Sequence, residues 1–161
     1  TGTVLNFDLR TQRMALRSHI GLLGHRTGLY PDLTVSENLQ FWASAYGANN
    51  TEVDKAMEFF GLNDRLGSVQ VQNLSEGQRR RTSLALLLIK RPSIWLLDEP
   101  YSGLDSNGRE LVNSSILQAS ELGTTVLIAS HEIDKIGSTQ ERTLFVKGGR
   151  IVSDSDQDSE G

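Results

Sequence analysis

Apolar residues recur along this chain with two different periods. Leu5, Phe7 and Leu9 alternate with Asn6, Asp8 and Arg10, the period of two that predicts a half-buried strand. His19 to Leu23 reads as a second short strand, running into the turn-rich stretch from Gly24 to Pro31. From Thr34 the period lengthens. Thr34 and Glu37 have capping-box spacing, and Leu39, Trp42, Ala43 and Tyr46 fall on one helical face before Gly47 stops the helix. Thr51 opens a further helix whose face is Val53, Ala56, Met57 and Phe60, closed by Gly61. The stretch from about Pro31 to Asn73 is therefore a helical insertion or subdomain, with its aromatic faces assigned to the core.

Beyond the insertion, Ser75 and Gln78 again stand at capping-box spacing, ahead of Arg79-Arg80-Arg81 and an apolar helix through Ile89. The arginine run reads as a solvated helix face. Ile94-Trp95-Leu96-Leu97 is too short for a helix and predicts a strand buried on both faces, ending in Asp98-Glu99-Pro100. Ser102-Gly103-Leu104-Asp105 then leads into a helix of about four turns that ends near Gly123. Thr124 to Ala129 predicts another buried strand, which brings Ser130-His131-Glu132 to the sheet edge that carries the two acids. Thr143 to Val146 and Ile151 to Val152 flank Gly148-Gly149, a two-residue hairpin turn, and the polar tail from Ser153 to Gly161 reads as disordered. Strands alternating with helices predict an α/β fold with a parallel sheet. The domain runs from 1 to 152, with a helical subdomain at about 31–73, a core at about 74–142 and a hairpin at 143–152.

Composition narrows the function classes. A chain of 161 residues is long enough for one domain with a sizeable core. Its net charge of -4 argues against a duplex-wide electrostatic grip, so nucleic acid is not an expected partner. With no cysteine there is neither a disulfide framework nor a thiolate zinc site. The apolar run from Leu84 to Ile89 is far too short to span a bilayer.

The chemistry concentrates at strand and helix ends. Two adjacent acids at a strand tip, Asp98 and Glu99, suit a divided task, one holding Mg²⁺ through oxygen and the other polarising or deprotonating a water. Ser75 and the side-chain-free Gly77 at a helix N-terminus offer an anion site, where free N–H groups and the helix dipole face a phosphate. The ordered set Leu74-Ser75-Glu76-Gly77-Gln78, Asp98-Glu99-Pro100, Ser102-Gly103-Leu104-Asp105 and Ser130-His131 resembles the ATP-binding subunit of ABC transporters over almost the whole chain. That resemblance implies a P-loop NTPase-like fold with ATP and Mg²⁺ as ligands. Ser75, Glu76, Gly77 and Gln78 correspond to the signature motif, whose serine and second glycine meet the γ-phosphate held by the opposite protomer. Asp98 corresponds to the Walker B ligand of Mg²⁺, Glu99 to the catalytic base, Asp105 to the D-loop and His131 to the switch histidine. His25 stands where the family's Q-loop usually has glutamine, near Mg²⁺ and the attacking water, and makes coupling pH-sensitive in this reading. The implied partners are a second ATP-binding subunit, closing head to tail, and membrane-spanning subunits that dock on the helical subdomain and the loop around His25. The implied location is the cytoplasmic face of a membrane.

The family's phosphate-binding loop, G-x-x-x-x-G-K-[ST], has no counterpart here, because the chain contains no Gly-Lys pair. Thr1-Gly2-Thr3-Val4 resembles the segment that follows that loop, which implies a chain truncated ahead of Thr1 and inactive by itself. Gly24-His25, Glu37 to Trp42 and Trp95 also resemble the haem-exporter ATPases of cytochrome c maturation. A non-hydrolytic ABC-like regulatory module is the alternative. Retention of both Glu99 and His131 speaks against it.

Overall fold

The computed structural model describes residues 2–24, 27–131 and 142–155, which fall into two compact units, 1–131 and 132–161. His25, and the tail from 156 to 161, lie outside the described residues.

The first unit begins with two short antiparallel strands, β1 (Thr3–Val4) and β2 (Phe7–Asp8), rather than the single strand that the alternation predicts. The chain reverses at Leu5 and Asn6, with φ of 50° and 64°. Left-handed conformation at both positions is the two-residue turn whose twist matches a hairpin, and asparagine tolerates it. Asp8 then accepts from the Arg10 and Thr11 amides and the Thr11 hydroxyl, which ends the strand and holds its carboxyl below the usual range. A short helix, α1 (Arg13–Arg17), follows.

Three parallel strands form the central sheet in the order β3 (Ile20–Leu23), β4 (Ile94–Asp98), β5 (Thr125–Ala129). One face is closed. Leu23, Trp95 and Leu97 are 1–2% exposed, and a Cβ on Gly21 would lie 2.7 Å from both Leu87 and Pro92, so only glycine fits where the sheet meets its helix layer. The opposite face is partly open, with Leu22 at 68% and Leu127 at 52% exposure. The expectation of a buried final strand therefore fails: among the described strands β5 is an edge, and all five of its residues are exposed or intermediate.

Helices α2 (Val35–Tyr46) and α3 (Asn50–Phe59) form the helical insertion, and both open with complete capping boxes. The second box is Asn49 with Glu52, so α3 starts ahead of the predicted Thr51; asparagine is the stronger cap and the acid three residues on completes the reciprocal pair. Val35, Leu39, Ala43, Val53, Ala56, Met57, Phe60 and Leu62 are all buried. The aromatic face only partly joins them: Trp42 is intermediate and Tyr46 exposed. Two short 3₁₀ turns, Leu66–Ser68 and Val71–Asn73, lead to α4 (Glu76–Lys90). After β4, the helix α5 (Ser106–Glu121) completes the unit.

The second unit contains the hairpin β6 (Leu144–Lys147) and β7 (Arg150–Asp154), turning at Gly148 and Gly149 with φ of 58° and 76°. Ser153 and Asp154, assigned to the disordered tail, instead complete β7, where Arg142 grips the buried Asp154 through two hydrogen bonds of 3.0 and 2.6 Å.

Asn38 is the polar pivot of the helical insertion. Fully buried, it accepts from the Tyr30 amide and donates to the Tyr30, Leu33 and Thr34 carbonyls, tying the entry loop to α2. Asn38→Ala removes the acceptor of the Tyr30 amide and unties the entry loop from α2, while the three carbonyls keep their backbone donors. The expected cost is about 2–3 kcal/mol in chemical denaturation of the intact protein, and a change below about 0.5 kcal/mol would contradict this account.

Candidate active site

The sheet's carboxyl edge gathers the candidate residues. Asp98 is the last residue of β4 and is exposed there. Glu99 has φ of 47°, a left-handed backbone that costs a side-chain-bearing residue about 1–2 kcal/mol. This turn leaves the Glu99 amide bonded to the Ala129 carbonyl at 2.8 Å while its carboxylate meets the end of β5. The carboxylate accepts from the Ser130 hydroxyl at 3.1 Å and the His131 amide at 3.0 Å, with His131 Nδ1 at 2.7 Å. The His131 ring bond, followed by the Ser130 hydroxyl and the His131 amide, holds the Glu99 carboxyl below its usual range against the opposing effect of burial. With Nδ1–H donating, Nε2 of a neutral imidazole is an acceptor.

The second cluster lies at the start of α4. Ser75 Oγ accepts from the Gln78 amide at 3.2 Å, and Gln78 Oε1 accepts from the Ser75 amide at 2.9 Å. The Ser75 hydroxyl keeps its proton for an anion, and Ser75 and Glu76 are exposed. Gly77 has a packing reason besides the anion role expected of it. A Cβ there would lie 2.9 Å from the Gly103 carbonyl, so the glycine is required by the loop between β4 and α5. Glu76 contacts the same loop, accepting weakly from the Ser102 hydroxyl at 3.5 Å. Asp105 caps α5, accepting from the Gly108 amide at 2.7 Å.

Two residues outside the predicted set belong to this region. Ser130, read only as part of the strand's exit, is a direct partner of Glu99. Arg80 is not on a solvated face: it is 6% exposed, and its Nη1 donates to the Asp98 carbonyl at 3.3 Å. Its helical neighbours at i+3, i+4 and i+7 (Ser83, Leu84 and Leu87) are buried, and that spacing marked the side on which Arg80 sits.

Among the described residues no group of three or more acids or histidines could enclose a metal. A single exposed carboxylate nevertheless fits Mg²⁺, which keeps most of its waters and joins nucleotide phosphates through one or two protein oxygens. The family model described as ABC transporter matches residues 1–102. The chain belongs to the ABC transporter family. The ABC cassette fold is equally clear: over 94% of this chain and 70% of the other, a dimeric ATP-binding cassette in a post-hydrolysis state with ADP and Pi superposes with a TM-score of 0.79 at 25% identity. CbiO1 from Clostridium perfringens, part of an ABC transporter complex, gives 0.74 at 27% identity over 94% of this chain and 63% of its own. Among curated relatives, this ABC chain is 32% identical to the ATP-binding protein NatA of Bacillus subtilis, spanning 93% of this chain and 63% of the relative. It is 36% identical to the cytochrome c biogenesis ATP-binding export protein CcmA of Bradyrhizobium diazoefficiens, over 88% and 70% of the two chains. Against the linearmycin resistance ATP-binding protein LnrL of Bacillus subtilis the identity is 28%, over 94% of this chain and 50% of the relative. The chain thus spans about half to two thirds of the length of these first relatives.

The Glu99–His131 contact makes a titration prediction. A carboxyl depressed in the fold contributes stability above its unfolded pKa, and this is lost as pH falls through the lower folded value. In His131→Ala the Glu99 carboxyl is expected to titrate at higher pH than in the parent, followed by carbon NMR of labelled glutamate in the intact protein. An unchanged Glu99 titration would refute the coupling.

Proposed function

We propose that this chain forms the greater part of an ATP-binding subunit of an ABC exporter, in which ATP is hydrolysed at a head-to-tail interface between two subunits. The observation that carries the proposal is Glu99, an ionised carboxylate fixed at the sheet edge by His131 and Ser130 beside the exposed Asp98. In this reading Asp98 holds Mg²⁺, which when bound neutralises charge developing on the phosphates. Glu99 orients a water and takes its proton. Its low pKa keeps it charged but makes it a weak base while His131 is bound. Once His131 turns to the γ-phosphate instead, the carboxylate gains basicity, so chemistry waits on nucleotide. Ser75 supplies its hydroxyl proton and the α4 N-terminus its dipole to the nucleotide of the opposite subunit. His25 would complete the site near Mg²⁺.

The finer reading is export of a cytochrome c maturation substrate such as haem. Supporting it, two cytochrome c biogenesis export ATPases are 36% identical over 88% of this chain and 42% identical over 68% of it, against 28% for LnrL and 32% for NatA over 94% and 93%. Among the described residues no helix is long and apolar enough to cross a membrane; in this reading membrane-spanning subunits supply the passage. The proposed docking surface is the helical insertion around residues 31–73 with the loop that contains His25. Tyr30, Phe41 and Tyr46 are 43%, 49% and 38% exposed and join Trp42 in one cluster of stacked and edge-on rings. Such aromatic patches are enriched at the centres of interfaces.

Glu99→Gln in the intact subunit tests the chemistry. ATP turnover should fall by about 10²–10⁴-fold with nucleotide binding retained. Unchanged turnover would refute Glu99 as the base, and an intact parent with no turnover above background would favour the non-hydrolytic module. Phe41→Asp tests the docking surface: co-purification of the membrane subunits should fall at least about tenfold while the isolated subunit keeps its ATPase rate. Normal assembly would rule out Phe41 as an anchor.

A further inference from the structure

Helix α4 touches the proposed site at two levels. Its first turn carries Ser75, and Gly77 packs against the Gly103 carbonyl. About 7.5 Å further along the helix axis, Arg80 reaches the tip of β4. The β3–β4 register ends with Leu23 opposite Leu97, and at the next residue the Asp98 carbonyl accepts from Arg80 Nη1 at 3.3 Å. A guanidinium that is 6% exposed has given up most of its hydration, and an arginine in such a place is kept only where its donors meet acceptors. Among the described residues no ion pair joins Arg80 to an acid, and its guanidinium meets this carbonyl. Ser83, Leu84 and Leu87, on the same helical face, are buried as well.

We propose that Arg80 is a positioning residue for the metal-binding and catalytic acids: it clamps the end of β4 to α4, so that Asp98 and Glu99 are held in a fixed register with Ser75 on the same helix. The inference rests on the ATPase reading above. Its consequence is a link within one subunit between the helix end serving the opposite subunit's nucleotide and the acids serving its own. A shift of α4 as the two subunits close pulls directly on the backbone that carries the metal ligand. Partners of this outer kind typically change metal affinity or activity by about 10–100-fold when removed.

The test uses the intact subunit with Arg80→Met, which keeps the stem and removes charge and donors, and Arg80→Lys, which keeps the charge and one donor point. In Arg80→Met, kcat should fall about tenfold with KM for ATP within about twofold. Mn²⁺ affinity of the protein loaded with a non-hydrolysable ATP analogue, read by electron paramagnetic resonance, should weaken about tenfold as well. Arg80→Lys should recover most of both. Arg80→Met with kcat and Mn²⁺ affinity within about twofold of the parent overturns the proposal, and so does Arg80→Lys as impaired as Arg80→Met. Should Arg80→Met fail to fold, Arg80→Gln takes its place in the same comparison. Asp98→Asn separates the two claims. If it leaves Mn²⁺ affinity unchanged, the metal assignment itself fails; if it abolishes Mn²⁺ binding while Arg80→Met does not weaken it, only the clamp fails.

Discussion

Everything proposed for this chain depends on one carboxylate held where two parallel strands end. Glu99 sits one residue past β4 in a left-handed conformation, and three donors from Ser130 and His131, at the exit of β5, converge on it. The backbone strain and the charge are parts of one device. The turn at Glu99 keeps its amide in the ladder with Ala129 while bringing its side chain to the neighbouring strand, and Asp98 remains exposed one residue earlier. Adjacent acids thus acquire separate environments, one fixed and one open, as a division between base and metal ligand requires.

The rest of the first unit holds that edge in place. Close packing at Gly21 seats the sheet on its helices, and Trp95 and Leu97 anchor β4 from the closed face. Helix α4 brings its capped N-terminus against the loop that precedes α5, at a separation that only glycine at position 77 permits. Signature helix, loop and strand tip are therefore mechanically continuous within one subunit. Such continuity is what a site divided between two subunits needs if closure and chemistry are to be coupled.

Local chemistry was the most readable part of the sequence. The boxes at Thr34–Glu37 and Ser75–Gln78 and the Gly148-Gly149 hairpin follow from short-range patterns whose physics is contained within a few residues, and the convergence of Glu99 with His131, 32 residues apart, follows from two strands delivering their ends to one sheet edge. The departures have longer-range causes. Leu5 is not a turn residue, so only Asn6 signalled the reversal between β1 and β2, and the alternation around it mimicked one strand. The exposure of β5 depends on what lies beside it in the sheet, which periodicity does not encode. The packing role of Gly77 was not legible because its partner lies 26 residues away in the chain, at Gly103. Arg80 was lost in a run of three like charges, although its apolar neighbours at helical spacing marked it as buried.

The most direct test of the account is a crystal structure of the intact subunit dimer with Mg²⁺ and a non-hydrolysable ATP analogue. The account predicts an Asp98 carboxylate oxygen on the metal at about 2.1 Å. It also predicts Glu99 within hydrogen-bond reach of a water in line with the γ-phosphate, with His131 turned toward that phosphate. A metal coordinated without Asp98, or a Glu99 still bound to His131 with no water between it and the phosphate, would contradict it.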